Sequence, residues 1–230
     1  MLPRKLEPEV MDTAIEAADY NAMDHSAVNR VFVDDFLAAA QSHGTLELFG
    51  DGQTASVLDV GTGTALIPIE LCSRTVSCRV KGIDLAAEML KIGHKNIERA
   101  KLTGRIVLER IDAKQMPYPA ESFGAVVSNS IVHHIPKPRE VMAEMLRVLY
   151  PGGLLFVRDL LRPDDVETLE QIVQAYTGSE NAHQHQMFRD SLHAALTMDE
   201  IRSLLSDLNV SPAWAQQTTD RHWTVIGQPV

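Results

Sequence analysis

The sequence predicts a doubly wound α/β domain, with a mostly parallel sheet and an antiparallel hairpin as its last element. Short apolar runs typical of strands alternate with helical stretches through the middle of the chain. A glycine-rich turn directly follows the first of these runs. Because parallel strands need crossover connections, strands that are separated by helices imply parallel pairing with right-handed crossovers.

Short apolar runs predict the strands. Five strands form the centre of the sheet and two form the terminal hairpin, over residues 56–60, 79–83, 105–111, 124–128, 154–157, 210–214 and 223–226. Apolar residues at helical spacing predict the helices around them. These helices cover residues 27–43, 85–100, 139–149, 163–175 and 197–205, and a further helix follows the glycine-rich turn and ends near residue 71.

Local signals mark several helix ends. Asp12 and Thr13 are candidate N-caps in the first segment, and Gly44 is placed to end the helix that follows. Thr197 opens a Thr-Met-Asp-Glu capping box. Residues 151–153, Pro-Gly-Gly, are expected to break the chain between a helix and the fifth strand.

Composition and charge limit the kinds of partner. The 230 residues fit one α/β domain, and 21 basic against 31 acidic side chains give a net charge of −10. This acidity argues against a nucleic-acid partner, which would need a basic face. The N-terminal stretch is charged, and no run approaches the roughly 20 apolar residues of a membrane span. We therefore expect a cytoplasmic protein with no membrane partner, whose two cysteines, Cys72 and Cys78, are reduced.

The most informative segment is the turn after the first strand. Gly61 and Gly63 stand where backbone must approach a ligand closely or adopt a positive φ. A dinucleotide-binding turn needs a third glycine, but that position holds Leu66. Asp59 precedes the first glycine by two residues, where a carboxylate suits a ligand with an ammonium group better than a pyrophosphate.

Two further aspartates follow the next two strands. Asp84 can accept hydrogen bonds from ribose hydroxyls, and Asp112 can accept from an exocyclic adenine amine. Each carboxylate alone is explained at least as well by a helix cap or a solvated loop. Together with Asp59, however, they place three acidic residues at three successive strand ends, which favours one shared ligand.

These segments resemble the class I S-adenosylmethionine-dependent methyltransferases. VLDVGTGTA, GIDLAAEML and IDAKQMPYPAESFGAVVS match the first three motifs of that family, and SNSIVHHIPKPREVMAEMLRVLYPGGLLFV matches its fourth strand through its fifth. The resemblance covers residues 54–160 and is closest to the group that includes ubiquinone- and menaquinone-pathway methyltransferases. It implies a Rossmann-like sheet of seven strands and S-adenosylmethionine as the cofactor. One departure is Ala65, where many members have a third glycine; we expect alanine to be tolerated if that residue is already helical.

The resemblance also implies which residues bind the cofactor. They are Asp59, Gly61, Thr62, Gly63, Asp84, Leu85, Met89, Asp112, Ala113, Ser128 and Asn129. Asp59 faces the amino-acid end of the cofactor, Asp84 holds the ribose, and Asp112 meets the adenine edge. Leu85 and Met89 flank the adenine, although core positions of a helix explain these two residues equally well.

The single predicted domain, residues 1–230, then divides into three parts. Residues 1–45 form an N-terminal helical lid, residues 54–160 the cofactor-binding core, and residues 161–230 the C-terminal helices and terminal hairpin. Because the core is committed to the cofactor, acceptor specificity must come from the added segments.

The acceptor pocket is therefore predicted above the sheet, from residues 1–30 and 158–193. Its leading polar residues are Tyr20, His25, Arg158 and Arg189. Residues 178–190 are polar, which suits a mobile lid and a solvated surface helix equally well. Three nearby histidines are spaced too loosely to predict a metal site: His183, His185 and His193.

Methyl transfer needs little covalent chemistry from the protein, because the cofactor already carries an activated methyl group. The protein must align the acceptor for in-line displacement and exclude water, and a base is needed only for a protonated acceptor. His133 and His134 are candidate bases, with hydrogen bonding to backbone or helix capping as the alternative. Asp159 ends the fifth strand at the same rim, where an ion pair with Arg158 is the alternative.

The sequence thus favours an S-adenosylmethionine-dependent methyltransferase of small molecules, acting as a monomer or a homodimer. A catalytically silent cofactor-binding or scaffold protein on the same fold is the alternative. A nicotinamide-dependent oxidoreductase is disfavoured by Leu66 and Asp59. No metal is predicted.

Overall fold

A seven-stranded sheet forms the centre of the computed structural model, which describes residues 2–8, 10, 12–46, 57–75, 77–177 and 181–229. Its strands are β1 (Val57–Val60), β2 (Val80–Asp84), β3 (Ile106–Arg110), β4 (Phe123–Asn129), β5 (Leu149–Leu160), β6 (Ala215–Gln217) and β7 (His222–Gly227). Their order is β3-β2-β1-β4-β5-β7-β6. Strand β7 is antiparallel to both β5 and β6, and the other pairs are parallel. The predicted doubly wound sheet with an antiparallel last hairpin is confirmed.

The helices of the described residues cover both faces of this sheet. They are α1 (Ala14–Ala22), α2 (Ser26–Ser42), α3 (Leu66–Arg74), α4 (Ala87–Arg99), α5 (Pro138–Val148), α6 (Val166–Thr177), α7 (Ala182–Ala194) and α8 (Met198–Asp207). Phe32, Leu71 and Ile97 pack α2, α3 and α4 on one face, while Met145 and Leu205 pack α5 and α8 on the other. Because both faces are covered, β4 and β5 send successive apolar residues into opposite clusters. None of the described helices is long and apolar enough to span a bilayer.

The predicted capping box at Thr197, the candidate N-cap Thr13 and the predicted helix end at Gly44 are present. The hydroxyls of Thr13 and Thr197 accept hydrogen bonds from the third residue of α1 and of α8, respectively. Gly44 follows α2 with a φ of +67°. Asp12 has a different role, because its carboxylate accepts from the backbone N–H of Glu88 at 2.9 Å and so fixes the N-terminal segment to α4.

The terminal hairpin begins later than the sequence predicts. Residues 212–214 form a 3-10 turn, and the strand follows it at Ala215–Gln217. Pro212 takes the first position of that turn, where a missing N–H costs nothing, and Ser211 accepts from the N–H of Ala213. The predicted strand over 210–214 is therefore wrong.

The Pro-Gly-Gly break is also displaced. Strand β5 starts at Leu149, immediately after α5, and runs through residues 151–153. The pairing of β4 with β5 shifts register between Phe123 and Ala125, and Gly152 has a φ of +74°. The three residues thus form an irregularity at the start of the strand and not a loop before it.

Residues 182–190 are helical, and both alternatives for the segment 178–190, a mobile lid and a solvated surface helix, stay open. Helix α7 opens with a reciprocal capping box between Asn181 and Gln184, and Leu192 packs it against α6. Residues 178–180 lie outside the described residues. Movement of this segment on ligand binding stays a prediction.

Candidate functional site

A cleft opens at the carboxyl ends of β1, β2, β3 and β4. Ligands of open parallel sheets bind at this edge. Eight of the eleven predicted cofactor residues line the cleft: Gly61, Gly63, Asp84, Leu85, Met89, Asp112, Ala113 and Asn129.

The turn between β1 and α3 forms one wall. The backbone N–H groups of Gly61 and Thr62 both donate to the carbonyl of Ile83 at 2.9 Å, which ties the turn to β2. Gly61 has a φ of +76°, and a Cβ there would lie 2.4 Å from Cγ2 of Ile131. Gly63 has a φ of +53°, and no atom lies within 4 Å of a Cβ built on it. Packing therefore requires the first glycine, while the second leaves open space for a ligand.

Ala65 adopts a left-handed conformation, with a φ of 63°, directly before α3. Alanine is expected to be tolerated here if the residue is already helical, and that condition is not met. A left-handed conformation costs a non-glycine residue about 1–2 kcal/mol, which explains why a glycine suits this position. Ala65 is held there by burial and by a hydrogen bond from its N–H to the Thr62 carbonyl at 2.9 Å.

Asp59 lies buried behind the turn and does not line the cleft; only 2 % of its surface is exposed. Its Oδ2 atom has no hydrogen-bond partner among the described residues. Burial raises the pKa of Asp59 to about 7; Thr62 opposes this shift and the Asp84 carboxylate adds to it. A buried carboxylate oxygen without a partner is costly, so the position suits a ligand that brings a cationic donor.

Asp84 ends β2 with both carboxylate oxygens bound to backbone. Oδ2 accepts from the N–H of Gly63 at 2.8 Å, and Oδ1 accepts from the N–H of Ala86 at 2.8 Å. Burial raises the pKa of Asp84, although these hydrogen bonds oppose the rise. Because each carboxylate oxygen has a second lone pair, Asp84 can hold the turn and still accept from ligand hydroxyls.

Asp112 lies at the next strand end, after β3. Its Oδ1 accepts from the backbone N–H of Lys114 at 2.9 Å and lies 3.0 Å from the Lys114 ammonium. Burial acts to raise the pKa of Asp112, but the two interactions with Lys114 outweigh it and hold the pKa below its usual value. Asp112 is therefore an ionised acceptor on the cleft wall at neutral pH.

Thr62 and Ser128 lie next to the cleft but are not among the residues that line it. A Cβ on Gly82 of β2 would lie 2.6 Å from Oγ1 of Thr62, so the threonine side chain covers that glycine. The Ser128 hydroxyl is fully buried and donates to the carbonyl of Val60 at 2.8 Å. Neither side chain lines the cleft, and contact of these two residues with the ligand stays a prediction.

Helix α1 brings Tyr20, but not His25, to the cleft. Tyr20 lines the wall, where burial raises its pKa to about 12 and the Asp84 and Asp59 carboxylates add to the shift. His25 stacks on Tyr20 with ring centroids 4.4 Å apart, and its Nε2 lies 2.8 Å from the Tyr20 carbonyl oxygen. His25 thus packs against Tyr20 and does not line the cleft, and its contact with an acceptor stays a prediction.

A cluster of polar side chains, centred on Asp159 and His133, lies at the ends of β4 and β5. Asp159 is fully buried, and its Oδ1 lies 2.5 Å from Nδ1 of His133. Its carboxylate also accepts from the N–H groups of Val132 at 2.5 Å and Leu160 at 2.6 Å. Burial acts to raise the pKa of Asp159, but His133 and these bonds hold it below its usual value. Burial acts to lower the pKa of His133, but Asp159 first and then Glu7 raise it above its usual value.

The N-terminal segment places Glu7 against both histidines of this group. Oε1 of Glu7 lies 3.5 Å from Nε2 of His133 and 3.1 Å from Nδ1 of His134. Arg4 fixes the segment by donating to backbone carbonyls that include those of His133 and Ile135. Burial raises the pKa of Glu7, although His133 opposes the shift. His134 lines the cleft, and burial together with the neighbouring His133 lowers its pKa to about 3.

Arg158 and Arg189 do not line the cleft, and their contact with an acceptor stays a prediction. Successive strand residues point to opposite faces, and Arg158 faces α2 while Asp159 faces the histidines. Arg158 pairs with Asp35 at 2.6 Å, so a structural ion pair, the alternative role, is present, although its partner is Asp35 and not Asp159. Arg189 forms a two-bond pair with Glu170 between α7 and α6, at 2.7 and 2.6 Å.

Sequence reasoning missed two kinds of lining residue. Ile83, Ile111 and Ile131 stand beside predicted positions at the strand ends, and the same strand-end pattern could have found them. Val10 lies within residues 1–30, which the sequence predicts to contribute to the acceptor pocket, but no motif there singles it out. Glu7 lies against the two histidines and not on the cleft wall, and no sequence motif singles it out either.

Comparison with known proteins finds its matches in the part of the chain that forms the cleft. Residues 58–157 match the family model described as a methyltransferase domain. A demethylmenaquinone methyltransferase from Porphyromonas gingivalis is 35% identical over 109 residues, which are 47% of this chain and 44% of that protein. A 27-O-demethylrifamycin SV methyltransferase from Amycolatopsis mediterranei is 27% identical over 171 residues, 73% of this chain and 59% of the other. The chain thus spans about half the length of these curated relatives.

The fold has a counterpart among solved structures. A SAM dependent methyltransferase from Aquifex aeolicus superposes with a TM-score of 0.65, over 95% of this chain and 99% of that chain, at 16% sequence identity. At this identity the likeness shows the fold alone. Together, the fold and the sequence matches make residues 58–157 of this chain similar to methyltransferase domains, and they support the resemblance to the class I S-adenosylmethionine-dependent methyltransferases.

Proposed function

We propose that the protein transfers a methyl group from S-adenosylmethionine to a small-molecule acceptor. The observation that carries this proposal is the set of three aspartates around the open turn at Gly63. Asp84 and Asp112 line the cleft, and Asp59 lies buried behind it. The two relatives named above have names that specify small organic molecules, which supports a small acceptor.

The residues present fit this cofactor. The unpartnered oxygen of Asp59 suits its ammonium group, and the spare lone pairs of Asp84 suit its ribose hydroxyls. Leu85 and Met89 supply an apolar wall for the adenine, beside the acceptor Asp112. When bound, S-adenosylmethionine supplies a methyl group that its sulfonium has already activated.

The contribution of the chain is alignment and exclusion of water. Tyr20 and Val10 cover the cleft from the N-terminal side, which limits the access of solvent. In-line displacement requires the acceptor atom to lie opposite the sulfur, along the methyl–sulfur bond. We place the acceptor at the end of the cleft that His134 lines, with the His133–Asp159 pair behind it. General-base catalysis by this group stays a prediction.

Calorimetry with S-adenosylmethionine and S-adenosylhomocysteine tests the cofactor assignment. Loss of a charged hydrogen-bonding partner costs roughly 1.5–3 kcal/mol, so Asp84→Ala should weaken binding about 10- to 100-fold. Asp199→Ala, at an exposed position of α8, is the matched control and should bind like the parent. Binding of NAD with no binding of either sulfur ligand would overturn the proposal.

A methyl-transfer assay tests the activity itself. Formation of S-adenosylhomocysteine with a panel of phenols, hydroxyquinones and amines should identify an acceptor class. Tight cofactor binding without transfer to any small molecule, but with transfer to RNA or protein, would contradict the small-acceptor assignment. We also propose a cytoplasmic location, since no disulfide joins Cys72 and Cys78, and a monomeric or homodimeric state; cell fractionation and sedimentation test these two.

A further inference from the structure

We propose that Glu7, His133 and His134 bind a divalent transition-metal ion at the acceptor end of the cleft. Each side chain offers one ligand atom, and these atoms all lie within 4.8 Å of one another. Two imidazoles and one carboxylate form a donor set that zinc and other first-row metals accept. The site uses none of the residues assigned to the cofactor, and it goes beyond the proposed methyl transfer.

The spacing of the ligand atoms suits a single ion. Oε1 of Glu7 lies 3.5 Å from Nε2 of His133 and 3.1 Å from Nδ1 of His134. Ligand atoms about 2.0–2.2 Å from a tetrahedral zinc are separated from one another by about 3.3–3.6 Å. Both distances from Glu7 are thus close to those of a loaded site, and adjustment of side chains alone can bring the atoms to it.

The ring nitrogen of His134 that faces Glu7 has no other use in the described residues. Nδ1 is buried without a hydrogen-bond partner, and it lies 3.1 Å from Oε1 of Glu7. A neutral imidazole nitrogen and a carboxylate oxygen can both donate a lone pair to one metal ion. This atom is therefore available as the second nitrogen ligand.

His133 has the outer hydrogen bond that is usual for a metal-binding histidine. Such histidines donate their second ring N–H to a carboxylate or carbonyl, which fixes the ring and makes the ligand nitrogen more basic. Asp159 takes this position at 2.5 Å from Nδ1, and leaves Nε2 directed at Glu7. Asp159 is itself held by the backbone N–H groups of Val132 and Leu160.

The surrounding charges favour a divalent cation. Glu7 and Asp159 bring two carboxylates, while Arg4 is occupied by three backbone carbonyls. Ser191 donates to Oε1 of Glu7 at 3.1 Å, which leaves that oxygen a further lone pair. Three protein ligands leave one coordination position for water or an acceptor atom. With the ion bound, His133 and His134 cannot accept a proton at the same nitrogens, so metal binding and a histidine base are alternatives.

Metal titration of the full chain tests the proposal. Protein treated with EDTA and then freed of chelator is titrated with Zn²⁺ by calorimetry, and with Co²⁺ by visible absorption. We expect one equivalent to bind and Zn²⁺ to raise the melting temperature. Glu7→Gln and His134→Ala should each weaken binding by at least about tenfold. The control His183→Gln removes an exposed histidine on α7 and should bind like the parent.

The outcomes separate the metal site from the proposed function. Circular dichroism verifies that each variant is folded, and Glu7 precedes the first helix, where its replacement spares the core. If the parent binds no more Zn²⁺ than Glu7→Gln does, the ion is adventitious only and the proposal is overturned. Cofactor calorimetry uses other residues, so metal binding without cofactor binding would contradict the methyltransferase assignment and leave the metal site standing.

Discussion

The two ends of the cleft are built in different ways. At the cofactor end, the contacts link neighbouring βα units; Asp84 accepts from Gly63, 21 residues earlier. At the acceptor end, the contacts link distant parts of the chain; Arg4 donates to the carbonyl of His133, 129 residues later. The first end therefore follows from a local pattern, whereas the second exists only once the N-terminal segment has docked.

The buried carboxylates at the two ends also differ in how many hydrogen-bond partners they have. Asp159 is surrounded by hydrogen bonds from backbone and from His133, so its interactions are complete within the chain. Asp59 keeps one oxygen without a partner among the described residues. The difference predicts that Asp159 contributes mainly to the free energy of unfolding and that Asp59 contributes mainly to ligand binding.

Replacing Asp159 gives the largest expected effect. In Asp159→Asn, one carboxylate oxygen becomes an NH₂ group that faces backbone N–H donors, and His133 loses its anionic partner. Breaking a buried charged pair costs about 3–5 kcal/mol of the free energy of unfolding. Urea unfolding measures this loss. Asp220→Asn, which removes a carboxylate that is 54% exposed, is the control, and an equal loss in both variants would contradict the comparison.

Replacing Gly61 tests the contact between the glycine-rich turn and Ile131, which follows β4. Gly61→Ala combines a left-handed conformation, which costs about 1–2 kcal/mol, with a Cβ that overlaps Ile131 of the β4 loop. We expect a loss of about 3 kcal/mol in thermal unfolding. Gly104→Ala is the matched control, since its Cβ meets no atom within 4 Å and its φ is not positive. An additional Ile131→Ala should recover only the part of the loss that is due to overlap.

The pH dependence of cofactor binding is the smallest effect, and it isolates Asp59. The free protein holds Asp59 protonated below pH 7, because burial raises its pKa to about 7. An ammonium group binds the ionised form, so affinity for S-adenosylhomocysteine should rise with pH and level off above about 7. The slope approaches tenfold, or about 1.4 kcal/mol, per pH unit.

Asp59→Asn provides the control for this titration. The variant should bind more weakly and should lose the pH dependence that the parent shows below about pH 7. The sign for folding is opposite to that for binding: a raised pKa means that the folded protein holds the proton more tightly than the unfolded chain does. Stability of the ligand-free protein therefore falls as pH rises from about 4 to 7, and Asn removes this fall. Parallel curves for parent and variant would exclude Asp59 from the site.

Much of the sheet and of the cofactor end can be predicted from sequence, because both depend on short segments. The apolar runs locate all five parallel strands, and the strand-end rule places Asp84 and Asp112 on the cleft wall. The local sequence pattern predicts a strand around Pro212, but the proline begins a helical turn inside this apolar run. It also fails at Ala65, because φ is not encoded by residue type alone.

The acceptor end could be predicted only in part. Alternation along a strand could have separated Arg158 from Asp159, since neighbouring residues cannot share one face. Nothing comparable exists for Glu7, because its position depends on how Arg4 and Ser191 fix the N-terminal segment across the histidines. Contacts of that kind follow from packing of the whole molecule and not from spacing.

The insertion of β7 between β5 and β6 has a consequence for synthesis of the protein in the cell. Strand β5 ends at Leu160, and the strand that pairs with its outer edge begins at His222. At ~5–20 residues per second, a ribosome takes several seconds to make the intervening segment. For that time the nascent chain carries a long apolar strand with an unpaired edge, the feature through which chains associate wrongly. Slow translation between Leu160 and His222 would prolong this exposure, and a chaperone that covers β5 would reduce wrong association through its edge.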